Sequence, residues 1–289
     1  MGWKAYEVVF RLHSPLHSGW RKVGNLQVTR SYITGRMLWG ALTMRLTRNK
    51  AGNQPAGDSS MYQKVGKQIN EMLAFSYFYP ALRENGGYRV CWPWENEGDF
   101  RRRFLGSYAS TSLSYPQQTA AEGSLHEVEF LSPRTMDDGR QVYLMGYIFK
   151  RNGCTLDWRS ALKRLQLGGE RGYGWGRVEP EEGTPKEVAD GRLFNGAVDF
   201  DGSGERPYLS IFSGRHLLAH TKADSRLPVE GEIDPLVGRE WRSTSPSNRY
   251  AGQHVGFTSV CFVPGSKVIQ EKKFYIEPLG IWSTTPEAR

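Results

Sequence analysis

Eight residues near the start, AYEVVFRL (Ala5–Leu12), are rich in β-branched and aromatic residues and read as a strand. The next twenty, HSPLHSGWRKVGNLQVTRSY, mix glycine, proline and polar residues and read as a loop. Behind Thr34, a helix-capping residue, Met37, Leu38, Ala41, Leu42 and Leu46 form an apolar stripe at helical spacing. Gly35 and Gly40 each cost that helix roughly 1 kcal/mol against alanine, so they point to close backbone approach. Polar NKAGNQPAGDSS (Asn49–Ser60) reads as an insertion, with a short helix behind it over Tyr62–Phe75. YRVCWPW reads as a strand that Pro93 confines to a sheet edge. The stretch from Glu95 to Gly123 has little periodicity and reads as irregular. HEVEFLSP and QVYLMGYIF follow as two strands. In TLDWRSALKRLQL the residues Trp158, Ala161, Leu162 and Leu165 recur as on one helix face, and GWGRVEP closes the series as a strand.

The resulting order is strand, helix, strand pair, helix, strand. It predicts an α+β, ferredoxin-like (RRM-like) domain over residues 1–185, with an insertion at about 49–125. Acidic, proline-bearing VEPEEGTPKEVADG marks a boundary. Beyond it, RLFNGAVDF, PYLSIFS, FTSVCFVPG and KKFYIEPLG predict a smaller β-rich domain over 186–289.

Charge changes this picture through its placement. Residues 1–50 carry nine basic side chains and one acid, Glu7, and so hold the whole net charge of +8. The rest of the chain is balanced. A basic segment beside balanced charge fits either docking on a polyanion or a solvated basic face. Three separated cysteines, none in a CxxC pair, argue against a disulfide framework or structural zinc. With no apolar run long enough for a membrane span and no secretion-signal pattern at the start, a cytoplasmic protein with no membrane partner is expected.

The densest signal is LQLGGERGYGWGRVEP (Leu165–Pro180), in which Gly168, Gly169, Gly172, Gly174 and Gly176 alternate with Arg171, Tyr173, Trp175 and Arg177. Glycine loops of nucleotide-hydrolysing folds follow a strand and open a helix. This one follows a helix, leads into a strand and lacks GK[ST], which argues against that class. Two readings stand. The loop is an anion-binding nest with arginines for phosphate and rings for stacking, or it is a tight connector whose aromatics are core.

LGGERGYGWGRV (Leu167–Val178) resembles the glycine-rich loop of the repeat-associated RNA-binding (RAMP) superfamily of CRISPR systems, whose pattern is close to LGGxRxxGxGRV. FRLHSPLHSG and TRSYITGRMLWGALTMRLT resemble the opening of the same family, and VEGEIDPLVGREW with CFVPGSKV is similar, more weakly, to its carboxy-terminal tails in type III effectors. The resemblance implies a prokaryotic, cytoplasmic CRISPR RNA-binding subunit of a type III effector. The role it most resembles is the subunit that caps the single-stranded five-prime tag of the guide. Its partners would be the large polymerase-like subunit and the backbone RAMP subunits. No cofactor or metal is implied. The RNA-contacting candidates are Trp20, Arg21, Lys22, Arg30, Tyr32 and Arg36, together with Gly168, Gly169, Arg171, Gly172, Tyr173, Gly174, Trp175 and Gly176. They are expected to flank one RNA tract, phosphates on arginines and amides, splayed bases on rings.

Two catalytic alternatives belong to relatives of this kind. One is a metal-independent endoribonuclease using His17, or less favourably His13, as general acid or base. The other is a backbone subunit that cuts target RNA with an aspartate and a metal, for which Asp99 and the Asp137–Asp138 pair are available. The expectation is a subunit without a catalytic site. His216 and His220 in HLLAH lack the glutamate of an HExxH zinc motif and read as core or surface histidines.

Overall fold

The computed structural model describes residues 2–115, 118–242 and 254–286. Strand β1 (Trp3–Leu12) is buried on both faces. Its alternate residues Tyr6, Val8, Phe10 and Leu12 enter one core, and Trp3, Ala5 and Val9 enter a second on the opposite face. A hairpin follows, β2 (Gly19–Val23) and β3 (Leu26–Thr29), within the stretch that reads as loop. Its register turns about Gly24, whose φ of 58° suits the tight turn.

Thr34 caps helix α1 (Gly35–Lys50) by accepting the Met37 amide, and Leu38, Ala41, Leu42 and Leu46 are buried as the stripe predicts. Gly35 meets the chain end closely, since a Cβ there would stand 2.7 Å from the Leu279 carbonyl oxygen. Gly40 meets nothing within 4 Å, so close approach accounts for only one of the two. Helix α2 (Ser60–Met72) stops short of the expected end, and Leu73–Phe75 leaves it as strand β4. Strands β5 (Tyr79–Glu84) and β6 (Gly87–Val90) form a hairpin, with β6 at the sheet edge before Pro93.

The irregular-looking stretch contains helix α3 (Glu97–Phe104) and strand β7 (Leu105–Ser110). Eight residues are too few for an apolar stripe. The legible signals were the Asn96 cap, acids in the first turn and three arginines in the last. A two-residue ribbon, β8 (Leu113–Ser114) with β9 (Thr119–Ala120), precedes β10 (His126–Leu131) and β11 (Tyr143–Arg151). Helix α4 (Trp158–Leu162), β12 (Val178–Pro180) and β13 (Lys186–Glu187) complete this half.

The expected pairing of β10 with β11 does not occur. The first sheet runs β12-β1-β11-β5-β6, with antiparallel pairing at each step, while β4 pairs with β11 and β13 with β1. β10 lies instead in a second sheet, β2-β3-β10-β7. Burial explains the exchange. A strand beside β11 is covered on both faces, which Tyr79–Leu82 tolerate because all four are buried. β10 carries His126 and Glu127, both partly exposed, and a buried Glu129 that Arg101 and the Thr29 amide satisfy in the second sheet.

Helices α1, α2 and α4 cover one face of the first sheet. The carboxy-terminal strands cover the other with an eight-stranded sheet, through Leu193, Phe194, Val198, Leu209, Phe274 and Trp282 packed on Tyr77, Tyr79, Tyr147 and Phe149. The two halves thus share a core. The edge of the eight-stranded sheet is a hairpin of Ile233–Glu240 and His254–Phe262. Among the described residues, no helix is long and apolar enough to cross a membrane.

Candidate nucleic-acid interface

The glycine loop is locked at its base by backbone. Gly169 donates its N–H to the His17 carbonyl (2.9 Å), Gly176 to that of Pro15 (2.7 Å), and Leu167 to that of Gly176 (2.8 Å). The Gln166 side chain closes the ring from within, donating to the carbonyls of Arg171 (3.0 Å) and Trp175 (2.8 Å). Gly168 and Gly176 have φ of 80° and 78°, and a Cβ would lie 2.3 Å from the His17 oxygen at the first and 1.8 Å from the Leu167 oxygen at the second. Both demand glycine twice over, by conformation and by space. Gly174 also has positive φ (83°) but points at open space, and Gly172 meets nothing within 4 Å.

This geometry changes the role of the amides. Those of Gly169, Tyr173, Gly174, Trp175 and Gly176 are spent on carbonyls of the protein itself, so they do not form the expected anion nest. What the loop presents is its crown, a 3-10 turn over Arg171–Tyr173. Tyr173 is 82% exposed, and the exposed Arg171 reaches back only to the Met44 sulfur (3.5 Å).

Trp175 leans on the second sheet. Its ring meets Phe130 of β10 edge-on at 5.1 Å and Tyr108 of β7 at 6.4 Å, and Tyr108 is 60% exposed. Pairing registers align Lys22 of β2, Gln27 of β3, Val128 of β10 and Tyr108 of β7 in one row across the sheet. The row therefore runs from a basic edge strand, exposed throughout, to the aromatic cluster at the glycine loop. Tyr108 and Phe130 were missed in the sequence because β7 reads as irregular and β10 as part of the first sheet. The alternation in LGSYAS was the available signal. Arg171, exposed on the crown of the loop, has no carboxylate partner among the described residues, and Arg171→Ala is expected to lower the salt slope of RNA binding by roughly 0.7. A slope that keeps its wild-type value in a salt titration would remove Arg171 from the contact.

Three of the basic-segment candidates lie elsewhere. Arg30 is 8% exposed and pairs with Asp234 (3.2 Å), beside the Tyr32 hydroxyl (3.5 Å) and His220 Nε2 (3.4 Å). Tyr32 is buried among Tyr77 and Tyr79, with ring centroids 5.6 and 5.7 Å away, so its faces are occupied. The Tyr77 hydroxyl and His220 Nδ1 are 2.8 Å apart. Burial, then the Arg30 charge, pushes the His220 pKa down to about 3, which keeps this ring neutral. Arg36 pairs with Glu240 at 3.0 Å. Arg30 and Arg36 thus tie the entrance of α1 to the carboxy-terminal hairpin instead of flanking the glycine loop. Trp20 and Arg21 remain partly or fully exposed, with the Arg21 guanidinium 4.2 Å above the Trp20 ring.

The catalytic alternatives are held in structural contacts. His17 is 6% exposed, its Nδ1 lies 2.7 Å from the Glu129 carbonyl, and its ring and carbonyl form the floor beneath Gly168 and Gly169. His13 pairs with Glu179 at 3.3 Å. Asp99 bonds Asn96 and Arg102 on α3, while Arg103 holds both Asp137 (3.1 Å) and Asp138 (2.8 Å). His216 packs against Trp94 and His220 lies in the buried network, away from each other's chemistry. Among the described residues no group of three or more His, Cys, Asp or Glu side chains converges on a metal position.

No family model matches the sequence. Of curated proteins, leukosialin of Rattus norvegicus is 34% identical over 102 residues, 29% of this chain, and the chain spans 27% of that relative's length. Among solved structures, the fold is similar to a chain of type III-B Cmr-beta bound to cognate target RNA and AMPPnP, with a TM-score of 0.49 at 13% identity over 91% of this chain and 85% of that one. It is also similar to a chain of the same complex bound to cognate target RNA (TM-score 0.39, 10% identity, 61% of this chain, 96% of that one) and to one in the apo state (TM-score 0.40, 9% identity, 61% and 96%).

Proposed function

We propose that this protein binds single-stranded RNA as a non-catalytic subunit of a type III CRISPR effector, and that it grips the five-prime tag of the guide. The observation that carries the reading is the built glycine loop. Its base is fixed by backbone, its crown exposes Arg171 and Tyr173, and Trp175 beyond the crown meets the exposed Tyr108. Exposed rings on the same loop and sheet as an arginine without a carboxylate partner among the described residues match single-strand binding, in which bases stack and arginine meets phosphate. The strand order β12-β1-β11-β5 supports reading the first sheet as the ferredoxin-like core of a RAMP domain, in keeping with the two sequence motifs. A role without turnover is supported by the burial of His17 and by the arginine pairing of Asp99, Asp137 and Asp138.

The test is binding of repeat-derived RNA by the purified protein, scored with and without EDTA. Stable binding without cleavage is expected. Tyr108→Ala with Trp175→Ala should weaken it about tenfold or more, since one base–aromatic stack contributes about 1–3 kcal/mol. Cleavage that survives EDTA would point to a metal-independent ribonuclease, and cleavage that EDTA abolishes to a metal-dependent one.

A further inference from the structure

A pocket of about 210 Å³ lies between β2 and the carboxy-terminal hairpin, lined by Trp20, Arg21, Arg30, Asp234, Pro235 and Val237. It is smaller than the roughly 300–1,000 Å³ of sites for drug-sized ligands, and suits one planar ring. The indole of Trp20, 39% exposed, carries the Arg21 guanidinium 4.2 Å above its ring, and the Arg30 guanidinium lies 5.7 Å from the same centroid, so the flat surface offered to a ligand is that of Arg21. Pro235 and Val237 supply an apolar wall. The polar feature is the Asp234 carboxylate. Both of its hydrogen bonds, from Trp20 Nε1 and Arg30 NH2 (3.2 Å each), use Oδ2, and Oδ1 takes none among the described residues.

Asp234 neutralises one of the two arginines that line the pocket and puts a hydrogen-bond acceptor inside it. The pocket is built to accept hydrogen bonds from a donor edge. Guanine is the base whose N1–H and N2–H₂ donors lie side by side on one edge. Adenine and cytosine offer a single amino donor and uracil a single ring N–H. We propose that the pocket takes one unpaired guanine of a bound RNA: Asp234 accepts from the Watson–Crick edge, and the base stacks on the Arg21 guanidinium, which Trp20 supports from behind. Arg30 is a positioning residue, holding Asp234 from a buried network. The proposal rests on the RNA-binding reading and adds base selectivity to it.

The experiment measures anisotropy of a labelled short oligoadenosine RNA, of the same RNA with one central guanosine, and of a third with inosine there, which lacks the 2-amino group. Wild type should bind the guanosine RNA about tenfold more tightly than the all-adenosine RNA, in line with one bidentate base contact. Inosine should fall between them. The guanosine-to-adenosine ratio should drop to about one in Asp234→Asn and in Trp20→Ala. The second variant changes an exposed strand and leaves the Arg30–Asp234 pair in place, so it reports even if the first is unstable. Equal affinities in wild type, or a preference that survives in both variants, overturn the pocket while leaving RNA binding intact. Failure of wild type to bind any of the three RNAs overturns both readings.

Discussion

Gly176→Ala should be the most damaging single methyl group in the glycine loop. The substitution forces alanine to φ near 78° and sets its Cβ 1.8 Å from the Leu167 carbonyl oxygen, a backbone atom that cannot turn aside. Left-handed backbone alone costs a non-glycine residue about 1–2 kcal/mol, and the collision must break the Leu167–Gly176 bond and pull Gly176 off Pro15. A loss of ~3 kcal/mol or more is expected in urea unfolding, with RNA binding lost in the protein that stays folded. Gly174→Ala is the internal control. Its φ is 83° and its Cβ meets open space, so only the conformational part, about 1–2 kcal/mol, should appear. If the two variants melt together, the contact beneath Gly176 contributes nothing.

Replacing Arg30 with alanine should act on stability. Its guanidinium is 8% exposed and bonds Asp234, Tyr32 and His220, three partners drawn from two halves of the chain. Removing one member of a buried ion pair costs on the order of 3 kcal/mol, mostly because the other is left unpaired. Asp234, with its side chain 28% exposed, recovers part of that from water, which places the expectation at the lower end of the range. Chemical denaturation of Arg30→Ala and Arg30→Lys checks it, and lysine should restore only part of the loss because it lacks the planar fork. Unchanged stability together with a salt slope lower by roughly 0.7 would return Arg30 to the RNA surface.

The amino-terminal architecture was legible where local signals suffice. The β1 run, the Thr34 cap with its stripe, the helix bearing Trp158, and the position of the glycine loop between helix and strand all follow from periods of two and 3.6 residues and from capping chemistry. The β2–β3 hairpin, α3 and β7 were not legible as elements, because short, polar segments carry too few apolar positions to set a period, and β5 was missed because its short apolar run is broken by Pro80. Exposure was the larger gap. Arg21, Lys22, Arg30 and Arg36 look alike in a basic segment, yet two are exposed and two are paired with carboxylates 204 positions away.

The sequence by itself determined that β1 and β11 are strands, where α1 begins, and that the glycine loop lies between a helix and a strand, an order that argues against a nucleotide-hydrolysis loop, since each of these depends only on neighbouring residues. Tertiary structure alone decided that β11 pairs with β4 and β5 and not with β10, that five of the loop's amides are consumed by Pro15, His17 and its own turn, that Trp175 meets Tyr108 and Phe130, and that Asp234 stands beside Trp20. Each of those outcomes rests on burial or on a partner far away in the chain. Neither is a property of a local window: the cost of covering a polar strand, or of leaving a carboxylate unpaired, is set only when the distant segments meet.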